Sequence, residues 1–352
     1  MNLQLIRKSY LFNRIKKTRL YRIYNYKRLK IVSKKELLRE ATTEFKNNRF
    51  NYGGLKDYKK CLKKYLCSFS EYMFQYEFWK LDKKQKYEYV SRLEMRLYYE
   101  RHVPEDVRLL FWNKKNWLLY FKDYIHRSWI STGAVDWITF NEFIDPNKYY
   151  IAKPEEGSLG HGIFKFNKND INEELYYKLL QDNYIVEECV ENEYSIAEFH
   201  PFSLNTIRVT TLSNGEIIGA FVRFGNNGNI VDNAHAGGIF SMIDVDKGEI
   251  VTDGVDVYGH TYKYHPYSNI EFKGFIIPCW REIILIVREM HKMIPQAPVV
   301  GWDICITRSN EIEVIEGNHF PDIDVLQSPF KKGIRKQLEY QLKVAKLPSL
   351  NK

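Results

Sequence analysis

Long apolar runs are missing from this sequence, since none approaches the roughly 18 consecutive apolar residues that a membrane-spanning helix needs. Near the N-terminus, basic residues interrupt each apolar stretch before a processing site could follow; these are Arg7, Lys8, Arg14, Lys16 and Lys17. A cleavable secretory signal is therefore not predicted. Together these absences predict a cytoplasmic protein without membrane-spanning helices.

Cysteine is scarce, and proline and glycine are nearly absent from the first hundred residues. The five cysteines are scattered and lack the paired spacing of a zinc site or a disulfide framework, so we expect reduced thiols. From Met1 to about Tyr99 there is no proline, and glycine occurs only at Gly53 and Gly54. This composition favours helix. We therefore expect a basic helical arm at residues 1–40 and a helical N-terminal region at 41–110.

Acidic residues are rare in the predicted arm. Residues 1–40 contain 13 Lys or Arg but only Glu36 and Glu40, so the arm accounts for the whole net charge of +9. Cationic segments attract the phosphates of nucleic acids and anionic lipids through electrostatics that do not depend on sequence. We expect peripheral association with the inner face of the membrane; the alternative is a solvated helical tail. Because no nucleic-acid module is recognisable, no specific nucleic-acid partner is expected.

Strand-like segments begin near Tyr149, where short runs rich in β-branched and aromatic residues are separated by Gly, Asn and Asp turns. The predicted strands are 149–153, 162–166, 184–188, 206–212, 217–224, 237–244, 299–307 and 312–316. One amphipathic helix, Trp280 to Met293, precedes the last two strands. Strands, then a helix, then further strands indicate α+β lobes.

A glycine-rich segment joins the first two predicted strands, with the sequence Lys153-Pro154-Glu155-Glu156-Gly157-Ser158-Leu159-Gly160-His161-Gly162. Glycine lets the backbone turn tightly and aim N–H groups at an anion, and a lysine adds a point charge. The candidate phosphate ligands are therefore Lys153, Gly157, Ser158, Gly160 and Gly162. The segment lacks the Gly-Lys-Ser/Thr ending of a Walker loop. An ordinary glycine-rich hairpin is the alternative interpretation.

The last predicted hairpin carries oxygen-bearing side chains. Glu316 and Asn318 are two positions apart, so in an extended segment their side chains share a face, and Asp303 on the neighbouring strand can join them. Mg²⁺ prefers a few carboxylate or amide oxygens and completes its shell with water and nucleotide phosphates. These three residues are the candidate metal ligands, and the alternative is a set of polar residues at hairpin ends.

Taken together, the glycine-rich segment and the hairpin resemble the ATP-grasp superfamily, and the resemblance extends from about Asn113 to Gln327. The segment Ile185 to Val190 is similar to the hinge between the two lobes of that fold. The resemblance implies a nucleotide site that binds ATP with Mg²⁺. Its remaining candidate ligands are Lys115 for the phosphates, Glu187, Glu188 and Val190 for the adenine, and Glu193 for the ribose.

Within the superfamily, the closest resemblance is to the sugar-transfer-associated group related to α-L-glutamate ligases. Ser203-Leu204-Asn205-Thr206-Ile207-Arg208-Val209 and Arg223-Phe224-Gly225 carry it. It implies that Arg208 and Arg223 point into the cleft as catalytic cationic clamps, since a guanidinium fork fits phosphate or carboxylate oxygens. Structural ion pairing is the alternative for each arginine. Beyond the hairpin, Asp322 and Asp324 either meet a cationic acceptor or cap a turn.

The resemblance implies an ATP-grasp domain at residues 111–345, with two α+β lobes around ATP and a hinge near 187–190. It also implies an ADP-forming carboxylate–amine ligase that works through an acyl phosphate. The expected substrates are carboxylate and amine small molecules or glycan precursors, so that an amino acid or amino sugar is attached to a cell-surface polysaccharide precursor. An ATP-grasp kinase with a hydroxyl acceptor and a noncatalytic nucleotide-binding protein are the alternatives.

Overall fold

A computed structural model describes residues 19–48, 50, 54–157, 162–226, 237–256 and 258–350. Within these residues, helices come first along the chain, and two antiparallel sheets follow. The predicted Ser158 and Gly160 lie outside the described residues. None of the described helices is both long and apolar enough to cross a membrane.

The helical part contains six α-helices among the described residues: α1 (Arg19–Asn47), α2 (Leu55–Tyr65), α3 (Lys83–Tyr87), α4 (Arg92–His102), α5 (Glu105–Trp112) and α6 (Lys114–Tyr120). Its core is unusually aromatic, with Tyr58, Phe69, Tyr72, Tyr76 and Phe78 all buried. Helix α1 runs through residue 40 without a break and buries Ser33 and Ala41. The C-terminal half of the basic arm is therefore packed against this core. The helix continues beyond residue 40, where the excess of basic residues ends.

The spacing of apolar residues from Gln85 to Tyr99 predicts one helix, but the structure has two, α3 and α4. The chain leaves the helix at residues 88–91 because polar side chains offer its backbone other partners. The Val90 N–H donates to the Gln327 side chain at 3.0 Å, and the Ser91 hydroxyl caps α4 by accepting from the Glu94 N–H at 3.2 Å. A partner 237 positions away is not visible to a local periodicity.

Glu71 ties this part of the chain together. Its buried carboxylate accepts from the Ser68 N–H at 2.6 Å and from the Arg92 N–H at 2.8 Å, at the start of α4. Burial and the nearby Asp324 carboxylate raise the pKa of Glu71 to about 7.

The smaller sheet has the order β1-β4-β2-β3, with β1 (Trp129–Ser131), β2 (Tyr149–Pro154), β3 (Phe164–Asn167) and β4 (Tyr184–Glu188). Helices α7 (Trp137–Phe143) and α8 (Glu173–Gln181) accompany it in the chain. Phe140, Tyr150, Phe166 and Tyr176 are buried in one cluster between the helices and the sheet. This cluster is separate from the cores of the other parts.

The larger sheet has the order β10-β9-β7-β6-β5-β11-β12, and β8 pairs with β7. Its strands are β5 (Thr206–Leu212), β6 (Ile217–Phe224), β7 (Ile239–Asp244), β8 (Glu249–Ile250), β9 (Gly254–Val255), β10 (Thr261–Tyr262), β11 (Val299–Ile306) and β12 (Ile312–Asn318). A short helix, α9 (Tyr194–Ala197), precedes the sheet. Helix α10 (Trp280–Lys292) buries Ile283, Val287 and Met290 in its core, and α11 (Arg335–Val344) follows the last strand.

The predicted strands are all present, with ends that differ by up to a few residues. Asn214 and Gly215 lie in the turn between β5 and β6, where Gly215 has a φ of +83° and its N–H donates to the Leu212 carbonyl at 2.8 Å. The short strands β1, β8, β9 and β10 were not predicted, because two or three residues are too few to show a period of two.

Candidate active site

Four neighbouring strands of the larger sheet bring charged side chains together. In the ladder, Asp303 on β11 lies opposite Arg208 on β5 and opposite Glu316 on β12. Residues directly opposite each other in a sheet point to the same face. Arg208 binds Asp303 through Nε at 2.5 Å and Nη2 at 2.8 Å, and Arg223 on β6 reaches the same carboxylate at 2.9 Å. Sheet register thus joins residues that are up to 95 positions apart in sequence.

Asp303 is ionised in this arrangement. Burial opposes its ionisation, but Arg208 and Arg223 outweigh that effect and hold the pKa of the carboxyl well below its usual range. Arg208 is buried as well, and Arg223 is partly buried. The two arginines therefore surround one carboxylate, which is the ion pairing considered as an alternative above. Arg223 also donates to the Thr206 hydroxyl through Nε at 3.1 Å and Nη2 at 2.8 Å.

Glu316 and Asn318 follow on β12, and the Asn318 side-chain amide donates to the Glu316 carboxylate at 2.9 Å. Glu316 is open to solvent, yet the surrounding protein desolvates it in part, and together with Asp303 this raises its pKa. A cation between the two carboxylates would relieve that repulsion. The described residues contain no group of three His, Cys, Asp or Glu side chains placed to hold a metal alone.

Two carboxylates and one amide are nevertheless a set that suits Mg²⁺, which keeps several water or phosphate ligands. The donor chemistry of Asp303, Glu316 and Asn318 therefore fits this ion, with the nucleotide completing the shell. Asp303 would share its oxygens with the two arginines.

Lys153 lies at the end of β2, on the opposite side of the cleft. Its Nζ binds the Glu187 carboxylate at 2.9 Å, and Arg127 binds the same oxygen at 2.6 Å. Burial disfavours the charge on Glu187, but Arg127 and Lys153 lower its pKa to about 2. The Lys153 charge also acts to lower the pKa of Glu316, so this ammonium of the smaller sheet lies near a carboxylate of the larger one. The Glu187 carboxylate therefore positions Lys153; its implied adenine contact stays a prediction.

Lys114 and Lys115 both lie near the glycine-rich segment, and Lys114 forms hydrogen bonds with it. The Lys114 Nζ donates to the Pro154 carbonyl at 2.9 Å and to the Gly157 carbonyl at 3.0 Å. Burial lowers its pKa, while Glu316 acts in the opposite direction. Lys115 lines an open cavity of about 400 Å³ together with Glu155 and Glu156 of the same segment, and its contact with the phosphates stays a prediction. Adjacent lysines on a helix point about 100° apart, and the sequence alone did not show which one faces the cleft.

Both described glycines of the segment have backbone conformations that favour glycine. The φ angles are +122° at Gly157 and +74° at Gly162. A side chain at Gly162 would also lie 3.0 Å from Pro154 and Tyr184 atoms. A residue with a side chain would therefore be strained at either position.

Residues 188–193 connect the two sheets, as the resemblance to a hinge implies. The Cys189 N–H still bonds to the smaller sheet, through the Tyr149 carbonyl at 2.8 Å, whereas the Glu193 N–H donates to Ile306 on β11 at 2.8 Å. Glu188 pairs with Lys148 at 2.7 Å, and Val190 is half-buried. The Glu193 carboxylate caps α9 by accepting from the Ser195 N–H at 2.9 Å, so one oxygen of this candidate ribose ligand is already in use.

A family model described as sugar-transfer associated ATP-grasp matches residues 138–342, which is more than half of the chain. The chain belongs to this family. The match confirms the predicted membership of the ATP-grasp superfamily and the α+β ATP-grasp fold behind a helical N-terminal region. No curated protein matches the chain.

Solved structures of other ATP-grasp proteins are similar to this one at low identity. The ATP-grasp ligase PsnB complexed with minimal precursor is 12% identical, over 68% of this chain and 64% of that chain, with a TM-score of 0.41. D-alanyl-alanine synthetase A from Vibrio cholerae O1 biovar eltor is 11% identical over 68% and 63%, with a TM-score of 0.40. N5-carboxyaminoimidazole synthetase from Staphylococcus aureus, complexed with ADP, is 14% identical over 74% and 60%, with a TM-score of 0.41. The chain thus spans less than two thirds of the length of each of these three.

Arg127 is a residue of this ATP-grasp protein that sequence reasoning missed. It is buried between the sheets, where it binds Glu187 on β4 and Glu313 on β12 and donates to the Val314 and Ile315 carbonyls at 2.8 and 3.0 Å. It therefore ties the two lobes together at the base of the cleft. No local motif marks it, and the family match begins only at residue 138.

Arg92 was missed as well, and it brings the helical part of the ATP-grasp protein to the cleft. It starts α4 and binds Asp322 at 3.0 Å, while Arg208 lies 3.7 Å from the other oxygen of Asp322. Asp322 therefore joins a cleft arginine to an arginine of the helical N-terminal part. The sequence analysis predicted that Asp322 binds a cationic acceptor or caps a turn. In the structure, its cationic neighbours are the protein's own Arg92 and Arg208.

Proposed function

We propose that this ATP-grasp protein is an ADP-forming carboxylate–amine ligase that uses Mg-ATP and works through an acyl phosphate. One observation carries the proposal: the Arg208–Asp303–Arg223 cluster lies beside Glu316 and Asn318 in the cleft that Lys153 enters from the other sheet. Phosphoryl transfer needs charge neutralisation and positioning more than a protein nucleophile. A cleft with cations on both sides and metal ligands between them supplies these.

Each side of the cleft has its own part in the proposed reaction. Lys153, Lys114 and the glycine-rich segment bind the phosphates of ATP, while residues 187–193 hold the adenosine. Asp303, Glu316 and Asn318 would hold Mg²⁺, which offsets phosphate charge when bound. Arg208 and Arg223 are held by Asp303, and their positive charge stabilises the carboxylate substrate and the transferred phosphoryl group.

The bonds of the proposed reaction balance as follows. An oxygen of the substrate carboxylate attacks the γ-phosphorus of ATP, and the bond to the β-phosphate oxygen breaks, so that ADP leaves. An amine then attacks the carbonyl carbon of the acyl phosphate. The C–O bond to phosphate breaks, the amine loses a proton, and an amide and inorganic phosphate result.

The substrate class proposed here is an amino acid or amino sugar joined to a cell-surface polysaccharide precursor. Its support is the description of the family, sugar-transfer associated ATP-grasp. An ADP-release screen of the purified protein against uronic acids and amino acids tests it. Replacing Glu316 and Asn318 together with Ala should abolish ADP release while the protein stays folded by circular dichroism. Retained ADP release in this variant would remove both residues from the metal site.

Oxygen labelling separates the ligase from a kinase. If both oxygens of the substrate carboxylate carry the heavy isotope, one of them must leave in inorganic phosphate when the amine displaces it. A kinase that acts on a hydroxyl would leave the phosphoryl group on its product and release no stoichiometric phosphate. Mass spectrometry of the released phosphate decides between the two, and unlabelled phosphate would contradict the acyl-phosphate route.

We also propose that α1 binds the anionic inner face of the membrane. Tyr24, Ile31 and Val32 on this helix are exposed, and Lys27 and Lys35 are exposed at helical spacing from them. Apolar and basic side chains mixed on one face are typical of helices that lie in a lipid interface. Co-sedimentation with anionic vesicles should fall steeply with salt and should be lost when Ile31 and Val32 are replaced by Ser. Unchanged sedimentation of that variant would contradict the proposal.

A further inference from the structure

A second cationic cavity lies in the helical part of the protein and shares no residue with the cleft. It encloses about 210 Å³ between α1, α2, α4 and α11. Lys30 comes from α1, Lys63 and Lys64 from the last turn of α2, and Arg101 from the end of α4. Four cationic side chains from three separate helices therefore converge on one concave surface.

The charge of this cavity is not balanced by the described residues. Glu94 is the only carboxylate among its lining residues, and Arg335 already binds it with two hydrogen bonds of 2.8 and 2.6 Å. Lys30, Lys63, Lys64 and Arg101 form no ion pair with any described carboxylate. The excess positive charge also affects the neighbouring Lys34. Its pKa is lowered by burial and, to a smaller extent, by the charges of Lys30 and Lys63.

Aromatic rings contact three of these four cations. The Lys30 ammonium and the Arg101 guanidinium each lie 5.6 Å from the centre of the Tyr26 ring, and the Lys64 ammonium lies 5.1 Å from that of Tyr65. Such contacts are worth about 0.5–1 kcal/mol at exposed sites, which is less than a hydrogen bond between charged groups contributes. An anion that enters the cavity can therefore take these cations from the rings without a large cost.

We propose that this cavity is a second anion site, which binds the phosphate or diphosphate group of an esterified ligand. Phosphate oxygens accept several charge-assisted hydrogen bonds at once, and ammonium and guanidinium groups are the donors that suit them. Pockets for whole drug-sized ligands measure about 300–1,000 Å³. A cavity of about 210 Å³ therefore fits the anionic group alone, and the esterified remainder lies outside it.

Calorimetry with inorganic pyrophosphate, in buffer without Mg²⁺, tests the site directly. Replacing Lys63 and Lys64 together with Ala should weaken binding by at least about tenfold, because each lost charge-assisted hydrogen bond costs roughly that factor. Arg101→Gln is a second, independent variant with the same expected direction. The matched control replaces Lys178 and Lys292, two exposed lysines without ion pairs elsewhere in the chain, and should leave binding unchanged.

Lys153→Ala separates this site from the proposed ATP site, because that substitution lies in the cleft alone. Pyrophosphate binding that depends on Lys153 and not on Lys63 and Lys64 would overturn the proposal while supporting the ATP site. Equal loss in the control pair would also overturn it, since only the net charge would then matter. Loss in the Lys63 and Lys64 variant alone supports the second site, even if ATP does not bind.

A competition experiment with phosphatidylglycerol vesicles distinguishes a lipid headgroup from a soluble phosphate ester as the ligand of the cavity. If the wild-type protein binds the vesicles and pyrophosphate releases it, whereas the Lys63 and Lys64 variant does not bind, the cavity takes a lipid headgroup. If vesicle binding is indifferent to pyrophosphate and to these substitutions, a soluble phosphate ester is the ligand of the cavity. The calorimetric result supports the site in either case.

Discussion

Arg127→Met should destabilise the protein strongly, because it removes the cation from a buried group of charges. The side chain is 3% exposed and pairs with two carboxylates, Glu187 and Glu313, that are 5% and 2% exposed. Removing one partner from a buried ion pair typically costs about 3–5 kcal/mol, since the other charge stays buried without compensation. Glu187 keeps Lys153, so the larger part of the cost falls on Glu313.

Chemical denaturation of both proteins at pH 7 measures this cost. The control is Arg308→Met, which breaks an ion pair of similar length, 2.8 Å to Glu191, between two exposed side chains. Exposed pairs contribute little to stability, so the control should unfold like the wild type. Adding Glu313→Gln to Arg127→Met should recover part of the loss, because it removes the uncompensated charge. A loss no greater than that of the control would refute the role given to Arg127.

Two further predictions concern the cleft and the helical part. Lys114→Ala should weaken ATP binding measured by calorimetry, whereas Lys115→Ala should not. If Lys115→Ala weakens binding and Lys114→Ala does not, Lys115 is the phosphate ligand, as the family resemblance implied. The free energy of unfolding of Glu71→Gln, compared with that of the wild type, should be higher at pH 8 than at pH 5. The pKa of Glu71, about 7, lies above its unfolded value, so the free energy of unfolding of the wild type falls as pH rises between about 4.5 and 7, by on the order of 3 kcal/mol. If chemical denaturation gives the same difference between Glu71→Gln and the wild type at both pH values, Glu71 is already ionised at pH 5.

Local patterns were sufficient to find the strands and the faces on which polar residues meet. Glu316 and Asn318 share a face because side chains alternate along a strand, and this follows from a spacing of two. The glycines at 157 and 162 were visible because few other residues adopt a positive φ. Features that depend on period or on backbone conformation are encoded over a few neighbouring residues, and the sequence therefore reveals them.

Features that depend on packing between distant segments were not visible. Arg127 finds Glu313 across 186 positions, and Val90 leaves a helix for a side chain 237 positions away. The choice between Lys114 and Lys115 depends on how α6 is rotated against the glycine-rich segment. In each case the local sequence allows several arrangements, and the tertiary contacts select one.

The largest hydrophobic core has a consequence for how this protein can be divided. Val90, Tyr99 and Val103 from the helical part belong to the same buried cluster as Trp302 on β11, and the Tyr99 hydroxyl donates to the Val299 carbonyl at 3.0 Å. A fragment cut at residue 111 or 138 would expose the wall of β11 that these side chains cover. Such a fragment would be poorly soluble, and one cut at residue 138 would also lack Lys114 and Arg127. The part of the chain that carries the cleft therefore requires the preceding helices.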